Sequence, residues 1–298
     1  MKKIFAIVLM LALAFSLCAC GSKEEVTDEL LASVGKCDSV DLSNADGKLK
    51  EILDSGVLVV GTSPDYPPAE FISDDTGEVT GYEMAIAQYI ANSLGVELQI
   101  EAMEFQGVLT ALDTDKIDLG ISGFGYKADR AESYELSIGY MTEDSEAAHH
   151  TIIIRTEDKD KYQSLDDLNS AVINAQSGSL QEMYVEDQIP GADLQLITSL
   201  DQALLNLKTG KVDAVALDKD TAENYADTSD GEFYSLYDSG IEFDLSIYPD
   251  TDGTVLAAKK GETSLIEAVN VILKDTMDKG LLDPWYEKAC EMAGIEED

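Results

Sequence analysis

One phrase occurs twice in this chain of 298 residues, and it constrains the fold more than any single residue does. Residues 109–122 read LTALDTDKIDLGIS, and residues 204–217 read LLNLKTGKVDAVAL. Each copy has the form Leu-x-x-Leu-x-x-x-Lys-(Ile/Val)-Asp, followed by an apolar run that begins after Asp118 or Asp213. Leucines three apart predict one face of a helix; the polar residues after them predict a turn, and the apolar run a buried strand. A helix-turn-strand unit used twice predicts two similar α/β lobes rather than one large sheet. Two lobes enclose a cleft, and a cleft is where a ligand binds.

The length accommodates two ordinary cores. A formal charge of −39 excludes nucleic acid as a partner, because phosphates require clustered Lys and Arg. It equally disfavours adsorption to an anionic membrane surface, and it keeps a protein soluble and monomeric. The first residues form an address. Met1-Lys2-Lys3 is basic, and Ile4 to Leu17 is apolar but too short to span a bilayer. The segment ends Leu17-Cys18-Ala19-Cys20-Gly21-Ser22, which resembles a bacterial lipoprotein signal with Cys20 as the lipidated residue. Residues 1–19 therefore read as a signal peptide and 20–47, polar and patternless, as a lipid-anchored tether. That puts the mature chain on the outer face of the cytoplasmic membrane. Of the four cysteines, Cys37 and Cys290 remain for the folded part, and an oxidising compartment predicts a disulfide between them.

Strand and helix patterns alternate from Val57 onward, so the fold class is α/β with two mostly parallel sheets flanked by helices. Lobe one takes residues 48–147 plus 252–298, and lobe two 148–251. A two-strand hinge is expected near 147–153 and 246–254. Ligands in such folds sit beyond the carboxyl ends of the strands, which directs attention to Asp65-Tyr66, Ser122 to Arg130, Gln176 to Gln181, and Asp218. Arg130 offers a planar fork for a carboxylate. Asp218, in the other lobe, offers an acceptor for an ammonium. Ser122 and Ser179, with the backbone around Gly123 and Gly178, supply further hydrogen bonds, and the Tyr66 and Phe105 rings flank the space between. The set suits an α-amino acid zwitterion.

The motifs Gly61-Thr62-Ser63-Pro64-Asp65-Tyr66-Pro67-Pro68, Gly81-Tyr82-Glu83, Lys116-Ile117-Asp118, Ser122-Gly123 and Arg130 resemble those of family 3 extracellular solute-binding proteins. Gln176-Ser177-Gly178-Ser179, Lys211-Val212-Asp213 through Asp218, and Trp285-Tyr286-Glu287-Lys288 continue the resemblance in order. It implies a two-lobed periplasmic-binding-protein-like fold of type II that captures a free polar amino acid for the permease of an ABC importer, without cofactor or metal. By the same resemblance Arg130 holds the ligand carboxylate, Asp218 its ammonium, and Tyr66 and Phe105 its side chain. The expected ligand-binding set is Asp65, Tyr66, Phe105, Ser122, Gly123, Gly125, Arg130, Gln176, Gly178, Ser179, Gln181 and Asp218. Four positions depart from the family's pattern. Gly125 stands where a Ser or Thr is usual. Leu180 replaces a frequent Thr and leaves Gln181 as a substitute donor. Ala69 replaces a common Phe. Ser63 stands where binders of basic amino acids often carry Asp.

Other readings are weaker. His149-His150 cannot chelate from one strand, since adjacent side chains point to opposite faces, so a structural or hinge role is expected. Asp250-Thr251-Asp252-Gly253 fails as a calcium loop at its first and twelfth positions. Gly120-Ile121-Ser122-Gly123 lacks the spacing of a nucleophile elbow. An enzyme on the same fold, a cyclohexadienyl dehydratase, would need a proton-transferring group, for which Glu70, Glu83 and Glu104 are the candidates. A sensory ligand-binding module would carry further domains.

Overall fold

The structure is a computed structural model that describes residues 28–140, 149–248 and 253–295. The signal segment, Cys20, the start of the tether and the hinge residues 147–148 and 249–252 lie outside the described residues.

The first lobe opens with helices α1 (Glu29–Ser33) and α2 (Gly47–Ser55), followed by strand β1 (Val57–Thr62) and the short strands β2 (Asp65–Tyr66), β3 (Glu70–Ile72) and β4 (Val79–Thr80). Helix α3 (Tyr82–Leu94), β5 (Glu97–Ala102), α4 (Phe105–Asp113), β6 (Leu119–Gly120), α5 (Ala128–Ser133) and β7 (Tyr134–Leu136) complete its first pass. The second lobe holds β8 (His150–Arg155), β9 (Val172–Gln176), α6 (Leu180–Gln188), β10 (Asp193–Ile197), α7 (Leu200–Lys208), β11 (Ala214–Asp218), α8 (Lys219–Thr228) and β12 (Phe233–Ser235). The chain then returns through β13 (Ala257–Lys259), α9 (Thr263–Asp278) and α10 (Leu282–Ala293).

The main sheets share one plan. Their strand orders are β5-β1-β6-β13-β7 and β10-β9-β11-β8-β12. In each, four strands run the same way and the fourth in order, β13 or β8, runs against them, so the sheets are mostly parallel with one antiparallel strand apiece. The antiparallel strands β8 and β13 are those that enter their sheet from the other lobe, a reversal that helix-strand alternation does not encode. A smaller antiparallel sheet, β2-β3-β4, carries Asp65, Tyr66 and Glu70 to the cleft.

The doubled phrase becomes the same unit in both lobes. Helices α4 and α7 bury one face each, through Val108, Leu109 and Leu112 and through Leu200, Ala203 and Leu207. The turn then closes identically, Lys116 N–H on the Ala111 carbonyl at 3.0 Å and Lys211 N–H on the Asn206 carbonyl at 2.8 Å. The two aspartates pin the next strand. Asp118 donates its N–H to the Val59 carbonyl at 2.8 Å and accepts the Val59 N–H on its carboxylate at 2.9 Å. Asp213 makes the same pair with Val172, at 2.8 and 2.9 Å. Period-two burial follows: Ala214 and Ala216 enter one core layer, Val215 and Leu217 the other.

Helices α9 and α10 pack on the first core with α3, through Ile272, Leu273 and Trp285. Two expectations fail here. Residues 28–42 are not tether: Leu30, Val34 and Cys37 are buried in the first core, and Asn92 of α3 caps the Val34 and Gly35 carbonyls at 3.0 Å each. The apolar residues responsible are too few and too unevenly spaced to show a period. No disulfide joins Cys37 to Cys290. Both thiols are buried and separately engaged, Cys37 against the Ser39 hydroxyl at 3.1 Å and Cys290 with Tyr286. Among the described residues no helix is long and apolar enough to cross a membrane.

Candidate functional site

A cleft of about 740 Å³ lies between the sheets, and eleven of the twelve expected site residues line it. The exception is Gly178, at the rim of an adjoining depression with Gln106 and Glu182. Its carbonyl nonetheless faces the site, accepting from Arg130.

Arg130 sits on the short helix α5, 6% exposed, with its guanidinium 5.1 Å from the centre of the Phe124 ring. Nη1 donates to the Gly125 carbonyl in its own lobe, and Nη2 to the Gly178 carbonyl of the other lobe at 2.7 Å. Among the described residues no carboxylate comes within ion-pair distance, and burial pulls its pKa down to about 10. A desolvated cation with donors left over and no counter-ion is a receptor for an anion.

Asp218 ends β11 and starts α8, where its Oδ1 accepts the Thr221 N–H at 2.9 Å. Its Oδ2 is buried and has no close hydrogen bond among the described residues, the Tyr66 phenol being the neighbouring donor. Burial, with the Asp218 carboxylate nearby, holds the Tyr66 phenol well above its usual pKa. A buried carboxylate oxygen with so little hydrogen bonding suits an ammonium.

Ser122 and Gly123 follow β6 directly. The Ser122 hydroxyl accepts the Ser63 N–H at 2.9 Å and donates to Glu70 Oε1 at 3.2 Å. Gly123 has φ +55°, and a Cβ there would lie 3.0 Å from the Tyr66 ring, so both conformation and space require glycine. Ser179 is the N-cap of α6, accepting the Glu182 N–H at 3.1 Å. Phe105 stacks at 4.9 Å on Phe124, which is wholly core, as is Tyr140.

Asp65 behaves differently from the other carboxylates. Its Oδ1 accepts the Ser63 hydroxyl at 2.8 Å. Its Oδ2 crosses the cleft to the Leu200 N–H at 2.8 Å, at the start of α7, and to Gln176 Nε2 at 3.2 Å. Both oxygens are engaged within the protein, and one bridges the lobes.

Sequence reasoning missed several lining residues. His150 faces the cleft, its Nδ1 3.0 Å from Gln181 Nε2 and its ring edge-on to Tyr184; burial lowers its pKa to about 4. Glu242, paired with His149 at 2.6 Å, and Tyr248 also line it. Glu242 and Tyr248 carry no pattern signal, because each depends on where a loop returns; His150 opens β8, and strand alternation alone does not say which of the two adjacent histidines turns to the cleft. Of the three glutamates, Glu70 lines the cleft, Glu83 lies buried behind it, and Glu104 is exposed and accepts from Thr198 at 3.0 Å.

Comparison with known proteins accords with this architecture. Residues 58–291 match the bacterial extracellular solute-binding proteins, family 3. The chain belongs to that family. It is 26% identical over 249 residues to the L-cystine-binding protein TcyJ of Escherichia coli K12, covering 82% of this chain and 86% of that one. A solved amino acid ABC transporter substrate-binding protein from Streptococcus pneumoniae, bound to L-arginine, superposes with a TM-score of 0.74 at 33% identity, covering 83% and 98% of the two chains. The ancestral amino acid-binding protein AncCDT-1, a precursor of cyclohexadienyl dehydratase, superposes with a TM-score of 0.69 at 28% identity, covering 81% and 99%.

Proposed function

We propose that this family member captures a free polar amino acid between its lobes and delivers it, unchanged, to an ABC importer. The ligand carboxylate meets Arg130 and its ammonium meets Asp218 Oδ2. The observation that carries the reading is the complementary deficit of these two groups among the described residues: a buried guanidinium without a carboxylate in ion-pair reach, and a buried carboxylate oxygen without a close hydrogen bond. An α-amino acid supplies both missing partners at once. Asp65 acts as an inter-lobe latch in this reading rather than as a ligand contact. The relatives that bind L-cystine and L-arginine support an amino acid as the class of ligand.

In this reading the two lobes divide the labour. Residues 48–147 and 252–298, extended by the packed segment 28–47, form the lobe that first receives the ligand on Arg130, Tyr66 and Phe105. Residues 148–251 close over it and bring Asp218. The family is extracytoplasmic, and we assign the anchor to lipid on Cys20, with the protein acting as a monomer beside its permease.

A thermal-shift screen against the common amino acids and cystine tests this directly. A ligand at a hundredfold excess over its Kd stabilises the folded state by about 2.7 kcal/mol. One or a few amino acids should raise the melting midpoint clearly. A flat response to all of them at millimolar concentration contradicts the proposal.

A further inference from the structure

Glu70 and Glu83 are 1% and 0% exposed, and their carboxyl groups lie within hydrogen-bond reach of each other. Among the described residues the titratable groups that face them are Asp65 on β2, Tyr82 on α3 and Tyr140 beyond β7, with no Lys, Arg or His among them. Two buried carboxylates in contact without a cation cannot both be ionised. One proton must therefore stay with the pair.

The hydrogen bonds show where it resides. Glu83 Oε2 accepts the Gly123 N–H at 2.9 Å, and Oε1 accepts the Tyr140 hydroxyl. That is the environment of a carboxylate. Among the described residues the Glu70 carboxyl accepts only from Ser122, at 3.2 Å, and no donor reaches its buried Oε2. As a neutral acid that oxygen carries the proton and donates it to Glu83, which removes the deficit. Burial and the neighbouring Glu83 push the Glu70 pKa well up, in agreement.

The pair grips the segment the ligand carboxylate must meet. Glu70 holds the Ser122 hydroxyl, which in turn takes the Ser63 N–H at 2.9 Å, and Glu83 holds the Gly123 backbone. We propose that Glu70 and Glu83 share a single proton and are the positioning residues that set Ser122 and Gly123 for the ligand, so that capture weakens when this proton is lost. The inference rests on the amino-acid reading of the cleft. It adds a proton requirement that belongs to neither ligand nor Arg130.

Two measurements on the full chain test it. Infrared difference spectroscopy of ligand-free protein at neutral pH should show the carbonyl stretch of a protonated carboxylic acid, missing in Glu70→Gln. That reading needs no ligand. Titration calorimetry with the amino acid found by thermal shift should give Glu70→Gln near-normal affinity at neutral pH, since the amide keeps both shape and a donor. Above the pair's pKa, wild-type affinity should fall relative to Glu70→Gln by roughly tenfold per pH unit, as expected for one linked proton. Dividing the two profiles removes the titration of the ligand's own ammonium. Absence of the infrared band overturns the shared proton, and a constant ratio of affinities at every pH overturns the positioning role. A wild type that binds no amino acid while keeping the band removes the functional reading and the positioning role with it, leaving a structural acid pair.

Discussion

Gly125 and Leu180 meet across the cleft as a complementary pair: a Cβ on Gly125 would lie 2.3 Å from Leu180 Cδ1 and 2.9 Å from its Cγ. In the sequence these positions look like two separate losses of a hydroxyl. In the structure they are one exchange, in which an apolar side chain from the second lobe fills the space a side chain on the first would need. Gly125→Ser alone should therefore obstruct closure. Overpacking costs about 1–3 kcal/mol, so affinity should drop roughly five- to hundredfold. Adding Leu180→Thr should restore most of it. Calorimetry on the four proteins of this double-mutant cycle checks the coupling, and strictly additive effects contradict it.

Asp65 links the lobes through the Leu200 N–H and Gln176. Hydrogen bonds to a charged group contribute about 1.5–3 kcal/mol, enough to shift an open–closed equilibrium by more than tenfold. Asp65→Ala should give a larger radius of gyration in small-angle scattering without ligand, and weaker binding. Unchanged scattering together with unchanged affinity would remove the latch.

Asp118 and Asp213 should prove interchangeable in role but confined to their own lobes. Alanine at either position leaves a valine N–H, that of Val59 or Val172, without its acceptor. The penalty for such an orphan is about 1–3 kcal/mol. Hydrogen exchange should accelerate in β1 for Asp118→Ala and in β9 for Asp213→Ala. A spread of the effect across both sheets would contradict separate lobes.

His150 predicts an acid limb in stability. Its pKa is lowered to about 4 in the fold by burial, from 6.5 when free. Between those values the unfolded chain binds the proton and the folded chain does not, so stability falls as pH drops from 6.5 toward 4. The contribution is on the order of 3 kcal/mol. His150→Gln should flatten that part of the melting profile between pH 7 and 4, and a profile parallel to wild type would show that the imidazole stays unperturbed.

Much of the frame was legible because it repeats. The Lys-(Ile/Val)-Asp units place Asp118 and Asp213 identically, and strand ends led to Ser122, Arg130 and Asp218 without any contact being known. Legibility stopped where the chain meets itself at a distance. The inter-lobe grip of Asp65, the Gly125–Leu180 exchange, the Glu70–Glu83 proton and the inward face of His150 all depend on separations between elements, which no periodicity records. The packing of 28–42 and the unlinked cysteines failed for a related reason. Sparse apolar residues and a redox prior say nothing about which neighbour each side chain finds.

The central claim is that Arg130 and Asp218 hold one amino acid between them. Calorimetric titration of Arg130→Ala with the amino acid that stabilises the wild type addresses it most directly. Removing one partner of a desolvated charge pair costs roughly 3–5 kcal/mol, so affinity should fall by more than two decades while the melting midpoint of the ligand-free protein stays close to wild type. Near-normal affinity in that variant would contradict the site.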